Sequence, residues 1–238
     1  MTGKKILVAY SSLYGSVEEI SLEISKTLEQ KGFLVHLINL KKVRSSKWPY
    51  IGEYDGILVG SSSEFVQYAF SRHGYNPGKI VRKDPRNFLK TNLDEISQTN
   101  KILGIFRSDP LDFSVILNPE PAAKNLEELI IKKFGYKPSI CAWFGPVIDF
   151  KHKKLYYKVK KSMRQDLKRI SRKTGLEFNL RGYNDFRDWE RINEFTMRFA
   201  EMVEPSLKSS GGSDTCPGCG IKINPSWKFC ANCNYKLN

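Results

Sequence analysis

Over residues 1–150, short continuous apolar runs alternate with stretches in which apolar residues recur every three or four positions. Ile6-Leu7-Val8-Ala9-Tyr10 is such a run, the pattern of a strand buried on both faces of a parallel sheet. Val17, Ile20, Ile24 and Leu28 follow at helical spacing with charged residues between them, and Gly32 ends that helix. Residues 33–40, 56–60, 101–106 and 140–144 read as four further strands. Between the last two, Leu126, Leu129, Ile130 and Phe134 mark a helix closed by Gly135. Trp189, Ile192, Phe195, Phe199 and Met202 form the apolar stripe of a final helix before Pro205. Strand and helix in alternation predict an α/β fold, a doubly wound parallel sheet with helices on both faces.

Length and composition agree with that reading. A chain of 238 residues, 40% hydrophobic and 12% aromatic, can bury a substantial core, which excludes disorder as its main state. It accommodates one medium domain, residues 1–204, and a small module. No apolar run approaches the roughly 18 residues of a membrane span. The start, Met1-Thr2-Gly3-Lys4-Lys5, has neither the apolar stretch nor the cleavage site of a signal peptide. The expectation is a soluble cytoplasmic protein.

Charge is concentrated rather than spread. The formal net charge is +14, and residues 151–173 hold eleven Lys or Arg against the single acid Asp166. A local anionic partner fits this better than general affinity for polyanions. At 100° per residue, Leu155, Tyr156, Val159, Met163, Leu167 and Ile170 fall within an arc of about 120°, with most of the Lys and Arg opposite. Three readings stay open. The segment is a basic amphipathic helix at an anionic membrane surface, a helix packed on its own sheet with a solvated charged face, or a nucleic-acid contact using Tyr156, Tyr157 and the basic run.

After Pro205, residues 205–213 are rich in Ser and Gly and read as a flexible linker. Residues 214–238 are too few to fold on an apolar core alone. They carry Cys216 and Cys219, ten intervening residues, then Cys230 and Cys233. Two close thiolate pairs supply the tetrahedral sulfur set of a structural Zn2+ site, whose binding then provides folding free energy. Two disulfides are disfavoured in an intracellular chain, and a dithiol redox pair leaves the second pair unexplained. The spacing resembles the zinc-ribbon family, although Asn234 stands where that family usually has Gly. The fifth cysteine, Cys141, lies inside an apolar strand and reads as a core residue. Of the histidines, His36 sits in a predicted strand, while His73 and His152 lie in loops near basic residues. All three read as structural or solvated rather than catalytic.

The loop after the first strand runs Tyr10-Ser11-Ser12-Leu13-Tyr14-Gly15-Ser16-Val17-Glu18. In an open parallel sheet, ligands bind beyond the carboxyl ends of the strands. Ser and Gly there let backbone N–H groups and hydroxyls converge on a phosphate at a helix N-terminus. An ordinary Ser-capped turn uses the same residue types.

This loop, behind Ile6 to Tyr10 and ahead of a helix, resembles the phosphate loop of the flavodoxin family. Tyr54-Asp55-Gly56-Ile57-Leu58-Val59-Gly60-Ser61-Ser62 resembles that family's third strand entering its second flavin loop. Residues 146–175, basic and aromatic, and the pair Asp188-Trp189 resemble features of the quinone-linked, flavodoxin-like protoporphyrinogen dehydrogenases. The match spans residues 4–204.

The resemblance implies a five-stranded sheet of order 2-1-3-4-5 and an FMN cofactor. It implies phosphate contacts from Ser11, Ser12, Leu13, Tyr14, Gly15 and Ser16, and a flavin-facing loop of Ser62, Ser63, Glu64 and Phe65. Arg107, Ser108 and Asp109, following strand four, would flank the other side. Phe65 stands where family members often stack a Tyr on the ring, and Val66 replaces a Gly that commonly follows it. Val17 replaces the last hydroxyl residue of the loop, and Glu18 and Glu19 add negative charge at the helix start.

The implied function is FMN-dependent electron transfer or dehydrogenation. In its protoporphyrinogen-dehydrogenase-like form it acts on a small hydrophobic substrate with a quinone acceptor, at the inner face of the membrane. A redox partner and a homodimer are further expectations. The competing reading is a flavin-free scaffold that binds nucleic acid or a protein through the basic helix and zinc ribbon.

Overall fold

In the computed structural model, the residues described are 3–12, 14–62, 84–99, 101–108, 118–152 and 157–204. Of these, β1 (Lys5–Ser11), β2 (Leu34–Asn39), β3 (Gly56–Ser61), β4 (Ile102–Ser108) and β5 (Ile140–Phe144) form one sheet. Its order is β2-β1-β3-β4-β5 and every pairing is parallel. This is the 2-1-3-4-5 order of the doubly wound flavodoxin-like fold, as expected. The strands match the apolar runs, except that β4 continues two residues past Phe106 to Ser108.

Alternation along β1 explains the two layers. Ile6, Val8 and Tyr10 project to one face, where α1 (Ser16–Gln30) contributes Val17, Ile20, Ile24 and Leu28. The last helix, here α5 (Trp189–Val203), completes that layer with Ile192, Phe195 and Phe199. Leu7 and Ala9 project to the other face, onto Phe88 and Leu89 of α2 (Asp84–Gln98) and Leu126 and Ile130 of α3 (Pro119–Phe134). Both faces of each central strand are therefore covered, which is why the strands carry continuous apolar runs. Gly135 closes α3 in the left-handed conformation at φ 68°.

Trp189 departs from the expected apolar stripe. It is 38% exposed at the first position of α5, and the Arg187 guanidinium carbon sits 4.6 Å from its ring centroid. A cation over the indole face stabilises a ring that reaches no core. Cys141 belongs to the second apolar layer as a partly buried residue, and burial, then Glu127, push its thiol up to about 12. A thiol held protonated is no nucleophile at neutral pH.

Beyond β5 the chain leaves the sheet. Strands β6 (Val147–Asp149) and β7 (Tyr183–Asp185) pair antiparallel, with α4 (Tyr157–Thr174) between them in sequence. Ile148 and Phe150 meet Met163 and Leu167 in a third apolar cluster, joined by Ile170, Phe178, Leu180 and Phe186. The apolar stripe of the basic helix is thus packed within the chain, as the self-packed reading expected, but against residues of the insertion rather than on the five-stranded sheet. Leu155 and Tyr156 fall outside the described residues, as does the side chain of Val159. Entry and exit of this segment are pinned together. The Phe186 N–H donates to the Pro146 carbonyl at 3.0 Å, and a Cβ on Gly145 would collide with the Phe186 backbone.

The chain divides into two units, Met1–Val203 and Glu204–Asn238. In the second, the linker 205–213 and the cysteines Cys216, Cys219, Cys230 and Cys233 lie outside the described residues. Among the described residues no cluster of metal-ligating side chains occurs, and no helix is long and apolar enough to cross a membrane.

Candidate functional site at the carboxyl ends of the strands

Parallel pairing brings the ends of three strands into register. Ser11 lies opposite Ser61, and Ser61 opposite Arg107. All three are buried. Their neighbours in sequence, Ser12, Ser62 and Ser108, therefore stand at one end of the sheet, the crevice position for ligands in such folds.

The loop from β1 to α1 turns tightly. The Gly15 N–H donates to Ser12 Oγ at 3.0 Å, closing a serine turn. Gly15 then takes φ 100°, which a side chain would strain, and stands as the N-cap of α1. Among the described residues, no side-chain hydrogen bond caps this helix start. Ser12, Gly15 and Ser16 are half-buried and Tyr14 is exposed at the surface. A helix start without a side-chain cap, behind a Ser-Gly turn, is suited to an anion.

Two acids occupy the first turn, and both are engaged. Tyr10 Oη donates to Glu18 Oε1 at 2.8 Å, and Lys42 Nζ lies 3.5 Å from the same oxygen. Arg187 Nη1 donates to Glu19 Oε2 at 2.6 Å. Burial, then the bond to Glu18, push the Tyr10 hydroxyl up to about 12.

The other expected residues are placed as follows. Ser62 is 7% exposed, and its Oγ has no hydrogen-bond partner among the described residues. A buried hydroxyl without a partner costs on the order of 1–3 kcal/mol, so its position suits a ligand. Arg107 and Ser108 are the last residues of β4 rather than members of a following loop, because the ladder to β5 continues through Ser108 and Phe144. Arg107 stacks on Trp143 with its guanidinium carbon 4.1 Å from the ring centroid, and Ser108 Oγ donates to the Gly145 carbonyl at 3.1 Å. Leu13, Ser63, Glu64, Phe65 and Asp109 lie outside the described residues.

Residues of the insertion reach this end of the molecule, which sequence reasoning missed. His152 meets the Tyr14 ring edge-on at 5.4 Å between centroids. Arg187, on the return from β7, binds Glu19 across 168 positions. The motif Asp188-Trp189 drew attention to the right segment but not to the arginine beside it.

No family model and no curated protein matches the sequence. Solved structures do show likeness. The rubredoxin:oxygen oxidoreductase of Desulfovibrio gigas is 15% identical at a TM-score of 0.47, covering 86% of this chain. This chain spans only 37% of that protein's length. Flavodoxin 2 of Bacillus cereus is 18% identical at a TM-score of 0.45, with 83% of this chain and 99% of that one covered. A flavodoxin, WrbA-like protein of Agrobacterium tumefaciens is 12% identical at 0.41, with 85% and 99% covered.

Proposed function

We propose that this chain binds FMN at the carboxyl ends of β1 and β3 and transfers electrons through it to a redox partner. The observation that carries the reading is Ser62 Oγ, a buried hydroxyl without a partner among the described residues, one residue beyond the Ser11–Ser61 pair. The serine turn and the α1 start without a side-chain cap, at the same end, support it. Ser11, Ser12, Tyr14, Gly15 and Ser16 would hold the phosphate, with Ser62 toward the ring system. Bound FMN supplies one- and two-electron redox chemistry, while the protein binds and orients it.

Flavin fluorescence titration tests this directly. The wild type quenches FMN on binding, and Ser62→Ala weakens binding about 5- to 10-fold, the loss of one hydrogen bond. Absence of flavin binding by the full chain loaded with zinc would remove the redox reading.

The finer reading is dehydrogenation of a small hydrophobic substrate such as protoporphyrinogen with a quinone acceptor, in the cytoplasm at the inner face of the membrane. Its support is the basic insertion beside the site. Because Met163 and Leu167 are buried, contact with an anionic surface would fall to exposed Lys161, Lys168, Arg169, Arg172 and Lys173. Pelleting with vesicles containing anionic lipid, lost on changing Lys161, Lys168 and Arg172 to Glu, is the expected outcome. The same exposed cations support the scaffold alternative, binding of nucleic acid or a protein, which gains if flavin does not bind. For residues 214–238 we hold to a structural Zn2+ on Cys216, Cys219, Cys230 and Cys233. One equivalent of zinc by elemental analysis, lost with Cys216→Ser, is expected.

A further inference from the structure

The N-terminal turn of α1 presents a difficulty for any phosphate. A Cβ placed on Gly15 would lie 3.8 Å from Glu19 Oε1, so this carboxylate stands directly against the loop. An uncompensated carboxylate there repels a dianion, even though it suits the helix dipole.

Compensation comes from the far end of the insertion. Arg187 Nε and Nη2 donate to the two carboxylate oxygens of Asp185 at 2.9 and 2.6 Å, and Nη1 donates to Glu19 Oε2 at 2.6 Å. The Arg187 side chain is 4% exposed, whereas that of Glu19 is 57% exposed. The guanidinium is thereby fixed in orientation by the fork to Asp185 and by Trp189 beneath it. The Arg187 N–H also donates to Asp185 Oδ1 at 3.1 Å. A planar, permanently charged group buried on three partners does not wander, so the Glu19 carboxylate is held, and partly offset by the charge that Arg187 shares with Asp185, on the side away from Oε1.

We propose that Arg187 is a positioning residue for phosphate. It acts through Glu19, partly offsetting and holding the carboxylate that would otherwise repel a dianion from Ser12, Gly15 and Ser16. The insertion then confers selectivity for the phosphorylated flavin over the neutral one. This rests on the FMN reading above and concerns only how the phosphate is admitted.

FMN and riboflavin, titrated in parallel by flavin fluorescence, separate the two ideas. In the wild type FMN binds more tightly than riboflavin. Arg187→Gln weakens FMN at least 10-fold and leaves riboflavin within twofold. Adding Glu19→Gln to Arg187→Gln restores FMN to within about threefold of wild type. Glu19→Gln alone tightens FMN and leaves riboflavin unchanged, a measurement that does not require the Arg187 variant to fold. Equal weakening of both flavins, no effect on FMN, or failure of the double variant to recover would overturn the role assigned to Arg187. Failure of the wild type to bind either flavin would instead overturn the FMN reading itself.

Discussion

Tyr10, at the end of β1, donates its hydroxyl hydrogen to Glu18 in the first turn of α1 at 2.8 Å. Strand and helix are thereby tied across the loop that they flank. Burial first, and this bond second, hold the phenol up to about 12 against an ordinary 10.0. A raised acid favours the folded state while protonated, so its contribution is complete below pH 10. It is lost as the pH rises from 10 toward about 12, because the unfolded chain ionises first. Urea midpoints measured across that window fall for the wild type and fall less steeply for Tyr10→Phe.

The Asp185 carboxyl behaves in the opposite sense. Burial works to raise it, but the side-chain and backbone bonds from Arg187, with its charge, outweigh burial and leave it below its ordinary 3.8. Its contribution is therefore complete above about pH 3.8 and lost as the pH falls through the lower folded value. Acid titration followed by Trp fluorescence should show the wild type losing stability over that interval. Asp185→Asn, already lacking the charge, loses less between neutral and acid pH.

Leu167 is fully buried in the cluster of the insertion, apart from the two layers of the main sheet. Leu167→Ala should cost about 2–4 kcal/mol locally, as such truncations do when the cavity does not collapse. Hydrogen exchange checks where the loss falls. Amides of α4 and β7 lose protection, while those of β1 and β3 retain theirs.

Gly60, within β3, has the Phe106 ring of β4 lying where its Cβ would be. Gly60→Ala therefore needs the ring to move, and Phe106 already packs on Phe144 and Phe195. A loss of about 1–3 kcal/mol in thermal unfolding is expected, because the ring cannot shift without disturbing that packing.

The legible part of the fold was the part encoded locally. Five apolar runs and the helices α1, α3 and α5 were readable because burial on both faces forces continuous apolar strands and each of these elements carries its own period, whereas α2 was missed. Ser11, Ser12, Gly15 and Ser16 stood out as a candidate site because turn chemistry and anion chemistry use the same residue types within six positions. Strands β6 and β7 were missed, since each is three residues long with a single buried member. The placement of Arg107 after strand four was also off. A charged residue reads as a strand end, whereas in the structure its guanidinium stacks on Trp143 within the ladder.

What the amino-acid sequence determined by itself was the alternation of strand and helix, the position of the Ser-Gly loop and the clustering of positive charge. These follow from periodicity and composition, which act over a few residues. Tertiary structure alone decided that the apolar stripe of the basic helix faces Ile148 and Phe150. It alone decided that the acids of the α1 first turn are answered by Tyr10, Lys42 and Arg187. Glu19 and Arg187 meet across 168 positions because α5, which Arg187 precedes, packs against α1. No local pattern encodes such a meeting, since the energy of an ion pair depends on distance in space and not on separation along the chain.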